Sequence, residues 1–315
     1  MSTEPLVIVN QIDPAFGAFL RGLDCAPTVI DTEDPDRPWI IPATTDVLIT
    51  RGRRWQDAPA SAPELPRLRW VQTYSAGVES YPDWLKSGRI VTTGRGLTAP
   101  QIAEYILSSM LRVERRIDEI RARSAADWIE PQLGTLEGKT LGVIGYGAIG
   151  QETIRRAQAF GMQIVASRRG GWATPVPGIF GLGSAEEVMS RADHLVLALP
   201  LTPKTRGMFG SEMFSAARRG QHFVNISRGG LVDQSALISA LDAGQLGFAT
   251  LDVTDPEPLP DGHPLYTHQK VLITPHVSYV GAPEVERFQA KVAANLRAFL
   301  AGTEMTDVLV HARGY

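Results

Sequence analysis

One cysteine, Cys25, is all the chain has, so no disulfide can close within it, and a reducing cytoplasm is the expected compartment. Charge of one sign is lacking too: 31 Lys and Arg stand against 34 Asp and Glu, a formal −3. No basic excess points to nucleic acid, and no basic amphipathic tract points to a membrane surface. No apolar run approaches bilayer-crossing length, and the start, MSTEPLVIVNQID, lacks the basic beginning and long apolar stretch of a signal peptide. Nothing repeats at a solenoid-like period. No two histidines have helix-face spacing with an acid, so no metal is expected. What is left is a soluble globular composition, 43% hydrophobic and 21% charged, with 315 residues giving about two domains.

Short apolar runs at 6–9, 46–49, 69–72 and 90–92 read as strands, separated by helix-like or proline-rich pieces; 32–43 holds three prolines and reads as loop. A helical pattern runs from about Pro100 to Ala126, with Ile102, Ile106 and Met110 on one face and a charged second half, RVERRIDEIRAR, as a solvated flank. Strands at 140–144, 163–166, 195–199, 223–226, 248–253 and 271–274 follow, and an amphipathic helix from Pro283 to Leu300 carries Val285, Phe288, Val292, Leu296 and Phe299. Strands alternating with helices predict an α/β chain of two doubly wound parallel-sheet, Rossmann-like domains with a cleft between them. The expected division is a discontinuous substrate domain, 1–104 plus 281–315, and a dinucleotide domain, 105–280.

The most informative segment is LGVIGYGAIG. Gly145, Gly147 and Gly150, with Tyr146, Ala148 and Ile149 between them, sit between a strand-like run and a helix-like run, 151–160. Strand, tight turn and helix N-terminus together bring unpaired backbone N–H groups up to a pyrophosphate. The next strand ends near Ser167, where an acid would hold a ribose 2′-hydroxyl. Here Ser167, Arg168 and Arg169 stand instead, a hydroxyl and two cations suited to a 2′-phosphate. The expected cofactor is NADP(H), with NAD(H) as the weaker alternative.

Three further strand ends carry unusual polar residues: Arg228 in FVNISRGGLVD, Asp252 and Glu257 in LDVTDPEPLP, and His276 in VLITPHVSYVG. All fall at carboxyl ends of predicted strands, the edge where doubly wound sheets bind ligands. A guanidinium can grip a carboxylate and polarise the neighbouring carbonyl, a histidine can move a proton near neutral pH, and a carboxylate beside it orients the ring. Arg228, Glu257 and His276 are therefore the candidate catalytic residues. Each alone has a plainer reading as surface or turn; their placement on one edge beside the glycine loop favours the catalytic one. Ser227 has no partner base and is no credible nucleophile.

The chain resembles the D-isomer-specific 2-hydroxyacid dehydrogenases over nearly its whole length, through EGKTLGVIGYGAIG, AFGM, LPLTPKTRGMF, FVNISRGGLVD, DVTDPEPLP, HPLY and TPHVSY, with a weaker match at QTYSAGVES and AEY in the first third. The resemblance implies that Arg228 binds and polarises a 2-keto acid, that His276 is acid in reduction and base in oxidation, and that Glu257 pairs with it. Ala76 and Gly77 would offer backbone N–H groups to the substrate carboxylate, and loops at Arg51, Tyr74, Ser75 and Leu97 would line the pocket. Asp252 would hold the nicotinamide carboxamide. Leu199, Pro200 and Thr205 would line the adenosine side, and Ile226 the nicotinamide side, with Ser227 and His276 also among the cofactor contacts. Arg168 in place of the usual acid resembles the NADPH-using glyoxylate and hydroxypyruvate reductases of the family. The expected partners are a small 2-keto or 2-hydroxy acid and a second copy in a homodimer, with no nucleic acid and no membrane.

Trp128 has two readings, ordinary packing within the chain or contact with a neighbouring subunit's active site, as related reductases place a tryptophan; Trp55 and Trp70 have lower odds of the second role. A phosphoglycerate dehydrogenase would more often use NAD and often carries a further C-terminal domain, whereas this chain stops about fifteen residues past the last helix. A formate dehydrogenase would lack Glu257. A dehydrogenase for a bulkier 2-keto acid, or a nucleotide-sensing interaction protein like the family's corepressors, keeps the same motifs and stays as the alternative.

Overall fold

Runs such as VIVN, VLIT and WVQT contain no charged residue, and a strand of that kind is stable only with both its faces covered. In the computed structural model, which describes residues 5–32, 34, 36–61, 63–281 and 284–310, they form the centre of a parallel sheet. The chain divides into two units, Met1–Leu97 with Ala282–Tyr315, and Thr98–Gly281.

The first unit holds β1 (Val7–Asn10), α1 (Pro14–Arg21), β2 (Thr28–Asp31), β3 (Val47–Thr50), β4 (Trp70–Thr73), α2 (Asp83–Lys86) and β5 (Ile90–Thr92). Its five parallel strands run in the order β2-β1-β3-β4-β5. Successive residues bury on opposite faces. Ile8, Val47, Ile49 and Trp70 pack with Phe16 and Leu20 of α1 and with Phe288, Val292 and Leu296 of the C-terminal helix, Glu284–Ala301. Val9, Leu48, Val71 and Val91 pack with Trp55, Tyr81 and Leu85 on the other.

The second unit opens with α3 (Ala99–Arg115) and continues β6 (Thr140–Ile144), α4 (Ala148–Ala159), β7 (Gln163–Ser167), β8 (Phe180–Leu182), α5 (Ala185–Arg191), β9 (His194–Leu197), α6 (Ser211–Ser215), β10 (Gln221–Asn225), α7 (Gln234–Asp242), β11 (Leu246–Leu251) and β12 (Val271–Ile273); the C-terminal helix is α8. The seven parallel strands run β12-β11-β10-β9-β6-β7-β8. Strand order reverses between β6 and β9, the switch point where such a sheet opens a crevice at its carboxyl edge. Ile102, Ile106 and Met110 of α3 cover one face, with Ile154 and Ala157 of α4. Val188 and Met189 of α5, Phe214 of α6 and Leu237 and Leu241 of α7 cover the other.

Two strands escape the sequence reading. Both are short edge strands: β2 is only half-buried and precedes the proline-rich loop, and β8 starts on an exposed Phe180 beside Gly181. The long helix is shorter than its pattern. It ends at Arg115, with Arg116 in the left-handed region (φ +47). Residues 116–130 are all exposed, so the charged half has no surface to pack on, and helical periodicity without burial does not sustain a helix. The C-terminal helix buries Phe288, Val292 and Leu296 as its pattern requires, while Val285 is exposed; Pro283, its expected first residue, lies outside the described residues. Both unit boundaries differ from those read in the sequence: Leu97/Thr98 against 104/105, because α3 belongs whole to the second unit, and Gly281/Ala282 against 280/281.

Candidate functional site

At the switch point the glycines do what their backbone alone permits. Gly145 has φ +110, and a Cβ there would lie 2.2 Å from the Ala198 carbonyl oxygen, so only glycine lets the end of β6 pass the end of β9. A Cβ at Gly150 would lie 2.3 Å from the Gly145 oxygen, so α4 starts hard against the strand. Gly147 is the N-cap of α4 and offers no side-chain acceptor, which leaves the first-turn N–H groups of the helix facing the loop. This cradle fits a dinucleotide pyrophosphate. Tyr146, Ala148 and Ile149 lie half-buried in the same turn. Ser167, buried, closes β7 and accepts the Gly145 N–H on its carbonyl at 3.0 Å; exposed Arg168 and Arg169 follow. Past β9, Leu199 and Pro200 are half-buried, and Thr205 Oγ1 donates to the Pro200 carbonyl (2.8 Å) and accepts from the Thr202 N–H (2.8 Å), fixing that loop.

Arg228 follows β10 in extended conformation. Asn225 Nδ2 donates to the Arg228 carbonyl (3.0 Å), Arg228 Nη1 donates to the Ser227 carbonyl (2.8 Å), and Ser227 Oγ donates to the Leu197 carbonyl (2.9 Å). A Cβ on the next residue, Gly229, would fall 1.9 Å from the Thr254 carbonyl carbon. That glycine therefore lets the arginine turn approach the loop carrying Glu257. Ile226 is buried just before it. Glu257 Oε1 lies 2.7 Å from His276 Nδ1, and both side chains are part-exposed. A carboxylate only accepts, so Nδ1 carries the hydrogen and Nε2 is the ring atom left to face a ligand. His276 has φ +53, unusual for a non-glycine residue and a conformation that surrounding bonds must hold.

Asp252 supplies that hold, a duty the sequence did not suggest. Buried at the end of β11, its Oδ1 accepts from Thr274 Oγ1 (2.6 Å) and the Val277 N–H (2.9 Å), and its Oδ2 from the Ser278 N–H (2.9 Å). Its carbonyl accepts the His276 N–H at 2.9 Å. The whole 274–278 turn is thus wrapped on one carboxylate, and Tyr105 of α3 reaches Thr274 Oγ1 at 2.6 Å. Tyr105 lies in the AEY segment, which carried the family resemblance but no role; only the fold brings α3 to the end of β12.

In the first unit, Arg51 and Ser75 leave the carboxyl ends of β3 and β4. The Arg51 guanidinium stacks over the Tyr74 ring, 4.6 Å from its centroid, and Asp13 lies 4.0 Å from it. Burial, then the neighbouring Glu284, holds the Tyr74 phenol up at about 12, so it stays a neutral donor. Ser75 Oγ donates to the Gly77 carbonyl at 2.8 Å, and the backbone N–H groups of Ala76 and Gly77 meet no acceptor among the described residues. Trp128 does not pack within the chain: it is 86% exposed and its neighbour Ile129 76%, whereas Trp55 and Trp70 are buried core. Among the described residues no group of three His, Cys, Asp or Glu side chains is arranged to hold a metal, and no helix is long and apolar enough to cross a membrane.

Residues 107–278 match the family described as D-isomer specific 2-hydroxyacid dehydrogenase, NAD binding domain. A glyoxylate/hydroxypyruvate reductase A of Yersinia enterocolitica is 31% identical over 83% of this chain and 86% of its own. A D-3-phosphoglycerate dehydrogenase of Mycobacterium bovis is 30% identical over 98% of this chain and 59% of its own. Among solved structures, an NADPH-dependent glyoxylate/hydroxypyruvate reductase from Sinorhizobium meliloti, in complex with NADP and sulfate, superposes with a TM-score of 0.77 at 26% identity, over 99% of this chain and 100% of that one. Glycine cradle, strand order and these relatives agree: the chain belongs to the D-isomer specific 2-hydroxyacid dehydrogenase family, oxidoreductases with an NAD-binding domain.

Proposed function

We propose that this protein reduces a small 2-keto acid, of the glyoxylate or hydroxypyruvate kind, to the D-2-hydroxy acid with NADPH. The observation that carries the reading is the 2.7 Å His276–Glu257 pair, on the same carboxyl edge of the sheet as Arg228 and the glycine cradle. NADPH, when bound, supplies the hydride. His276 Nε2 delivers the proton to the substrate oxygen, and Glu257 holds the ring and stabilises its charged form. Arg228 grips the carboxylate and polarises the carbonyl, and the N–H groups of Ala76 and Gly77 give the anion a second anchor, with Arg51 and Ser75 shaping the rest of the pocket. Asp252 keeps the His276 turn in place and faces the nicotinamide end with Ile226 and Ser227. Leu199, Pro200 and Thr205 line the adenosine end. Ser167, Arg168 and Arg169 favour the 2′-phosphate, and the Sinorhizobium relative, solved with NADP, supports that preference. A single cysteine fits a cytoplasmic setting.

The exposed apolar side chains of 116–131, Ile117, Ile120, Trp128 and Ile129, support a homodimer in which a second copy covers them and Trp128 reaches the partner's substrate. Light scattering should give twice the chain mass; a wild-type monomer at micromolar concentration overturns this part.

Initial rates with glyoxylate, hydroxypyruvate, pyruvate and phenylpyruvate, each with NADPH and NADH, test the main reading. Turnover of the small acids with NADPH, and weak turnover with NADH, is the expected result. NADH-only turnover removes the arginine assignment. Measurable NADPH binding with no turnover of any acid turns the reading toward a nucleotide sensor.

A further inference from the structure

We infer that Trp172 is a positioning residue for cofactor choice, an indole shelf that holds the Arg168 guanidinium ready for a 2′-phosphate; this deepens the NADP(H) reading and rests on it. Beyond Ser167 the chain reverses at once. The Gly171 N–H donates to the Arg168 carbonyl at 3.2 Å, and the third position of that turn needs a positive φ, which Gly170 supplies at +82. The reversal turns Trp172 back toward the end of β7 and the strand that pairs with it, β8. Its indole lies flat on Gly181 of β8, where a Cβ would come within 2.6–2.7 Å of ring atoms Cδ1, Cδ2 and Cε2. Gly181 pairs with Ala166, and Leu182 with Ser167, so the seat of the ring adjoins the strand end that faces the cofactor's ribose.

From that seat the indole meets both halves of the nucleotide loop system. The Tyr146 ring of the glycine turn packs on it with centroids 5.0 Å apart. The Arg168 guanidinium carbon stands 5.8 Å over its centroid, within cation–π range. The indole Nε1–H is buried and meets no acceptor among the described residues, so the ring is held by its faces rather than by a hydrogen bond. An arginine on a flexible stem must be immobilised when it binds an anion; one already stacked loses less on binding and shows more of its charge as affinity. Arg168 thus has its place set by a residue four positions on, and the shelf has no effect on a cofactor that lacks the 2′-phosphate.

Calorimetric titration of the whole protein with 2′,5′-ADP and with 5′-ADP reads this directly. Wild type should prefer 2′,5′-ADP. Trp172→Ala should lower that preference about five- to tenfold, the range of a partly desolvated cation–π contact. Trp172→Phe, which keeps a ring face and gives up only the unused N–H, should retain most of it. Gly181→Ala keeps the Trp172 side chain but lifts its ring off the seat, and should reproduce the loss. An equal weakening of both ligands in Trp172→Ala, or a preference kept there but lost in Arg168→Ala, overturns the inference and leaves the NADP(H) reading standing. A wild type that binds the two ligands alike overturns both.

Discussion

The seven-stranded sheet carries a histidine–glutamate pair at each of its two edges. At the carboxyl edge His276 and Glu257 meet at 2.7 Å, their side chains 37% and 41% exposed. At the amino edge His194, the first residue of β9, lies 3.1 Å from Glu114 of α3, poorly aligned, with side chains 1% and 8% exposed. The second pair is the middle of a closed chain. His222 Nε2 lies 2.9 Å from Thr250 Oγ1, the Nδ1 atoms of His222 and His194 share one hydrogen at 3.0 Å, and His194 Nε2 faces Glu114, whose Oε1 also takes Lys139 Nζ at 2.5 Å. Burial, then His194, holds His222 well below the usual histidine range. Burial works to raise Glu114, but hydrogen bonds from His194 and Lys139 outweigh it and keep its carboxyl below the usual range. Identical residue types thus do two jobs. In the amino-edge pair every ring nitrogen faces a protein atom, while the carboxyl-edge pair leaves Nε2 for a ligand. A histidine–glutamate contact is therefore a functional signal only where the topology opens and one nitrogen is left over.

The largest effects should come from the open edge. Arg228→Ala and His276→Ala should each lower kcat/KM by about 10²- to 10⁴-fold, from the loss of an anion grip and of a positioned acid. Activity within about tenfold of wild type in either variant removes that residue from the chemistry. Matched carboxamides then contrast the edges. Glu257→Gln should cost about 10- to 100-fold in kcat and little stability. Glu114→Gln should leave kcat within about twofold and cost about 2 kcal/mol of stability, because a part-exposed lysine and a buried histidine lose their charged acceptor. Urea unfolding and steady-state rates on both variants decide this, and a Glu114→Gln enzyme with Glu257→Gln kinetics ends the contrast. Next, Arg168→Asp should shift the NADPH:NADH preference by about thirtyfold toward NADH, the loss of a hydrogen bond to a charged group; an unchanged ratio of kcat/KM values removes the phosphate assignment.

What could be read from residues alone follows from range. The glycine loop is local: strand, three glycines and helix lie within twenty-odd residues and each has a backbone reason. Arg228, Glu257 and His276 were legible because each ends a buried run, and strand ends of a doubly wound sheet fall on one edge. The Asp252 clamp was not, since its donors become visible only when the turn after β12 folds back onto β11. The His194–His222 bond needs the β9–β10 register across 28 residues, which no periodicity encodes. Trp172 depends on a two-glycine reversal. The charged flank after Arg115 misled because charge periodicity resembles an amphipathic helix, yet nothing there is buried.

The smallest effect is the most specific to the closed edge. Unfolded, His222 takes up a proton near pH 6.5, while folded it stays neutral to well below that. Below about pH 6.5 the unfolded chain therefore binds more protons, and the contribution of this residue, complete above that pH, is lost as pH falls, with a slope of up to about 1.4 kcal/mol per unit. Glu114 adds a separate, lower leg: its folded pKa is depressed, so its contribution is present above about 4.5 and lost as pH falls through the lowered value. Stability from urea unfolding should thus drop between pH 6.5 and 5 in wild type. His222→Gln, less stable at pH 7.5 for the broken bonds to His194 and Thr250, should drop less steeply over the same window because the ring that charges on unfolding is gone. Parallel profiles would mean that His222 is not held neutral. The two edges would then differ in exposure alone.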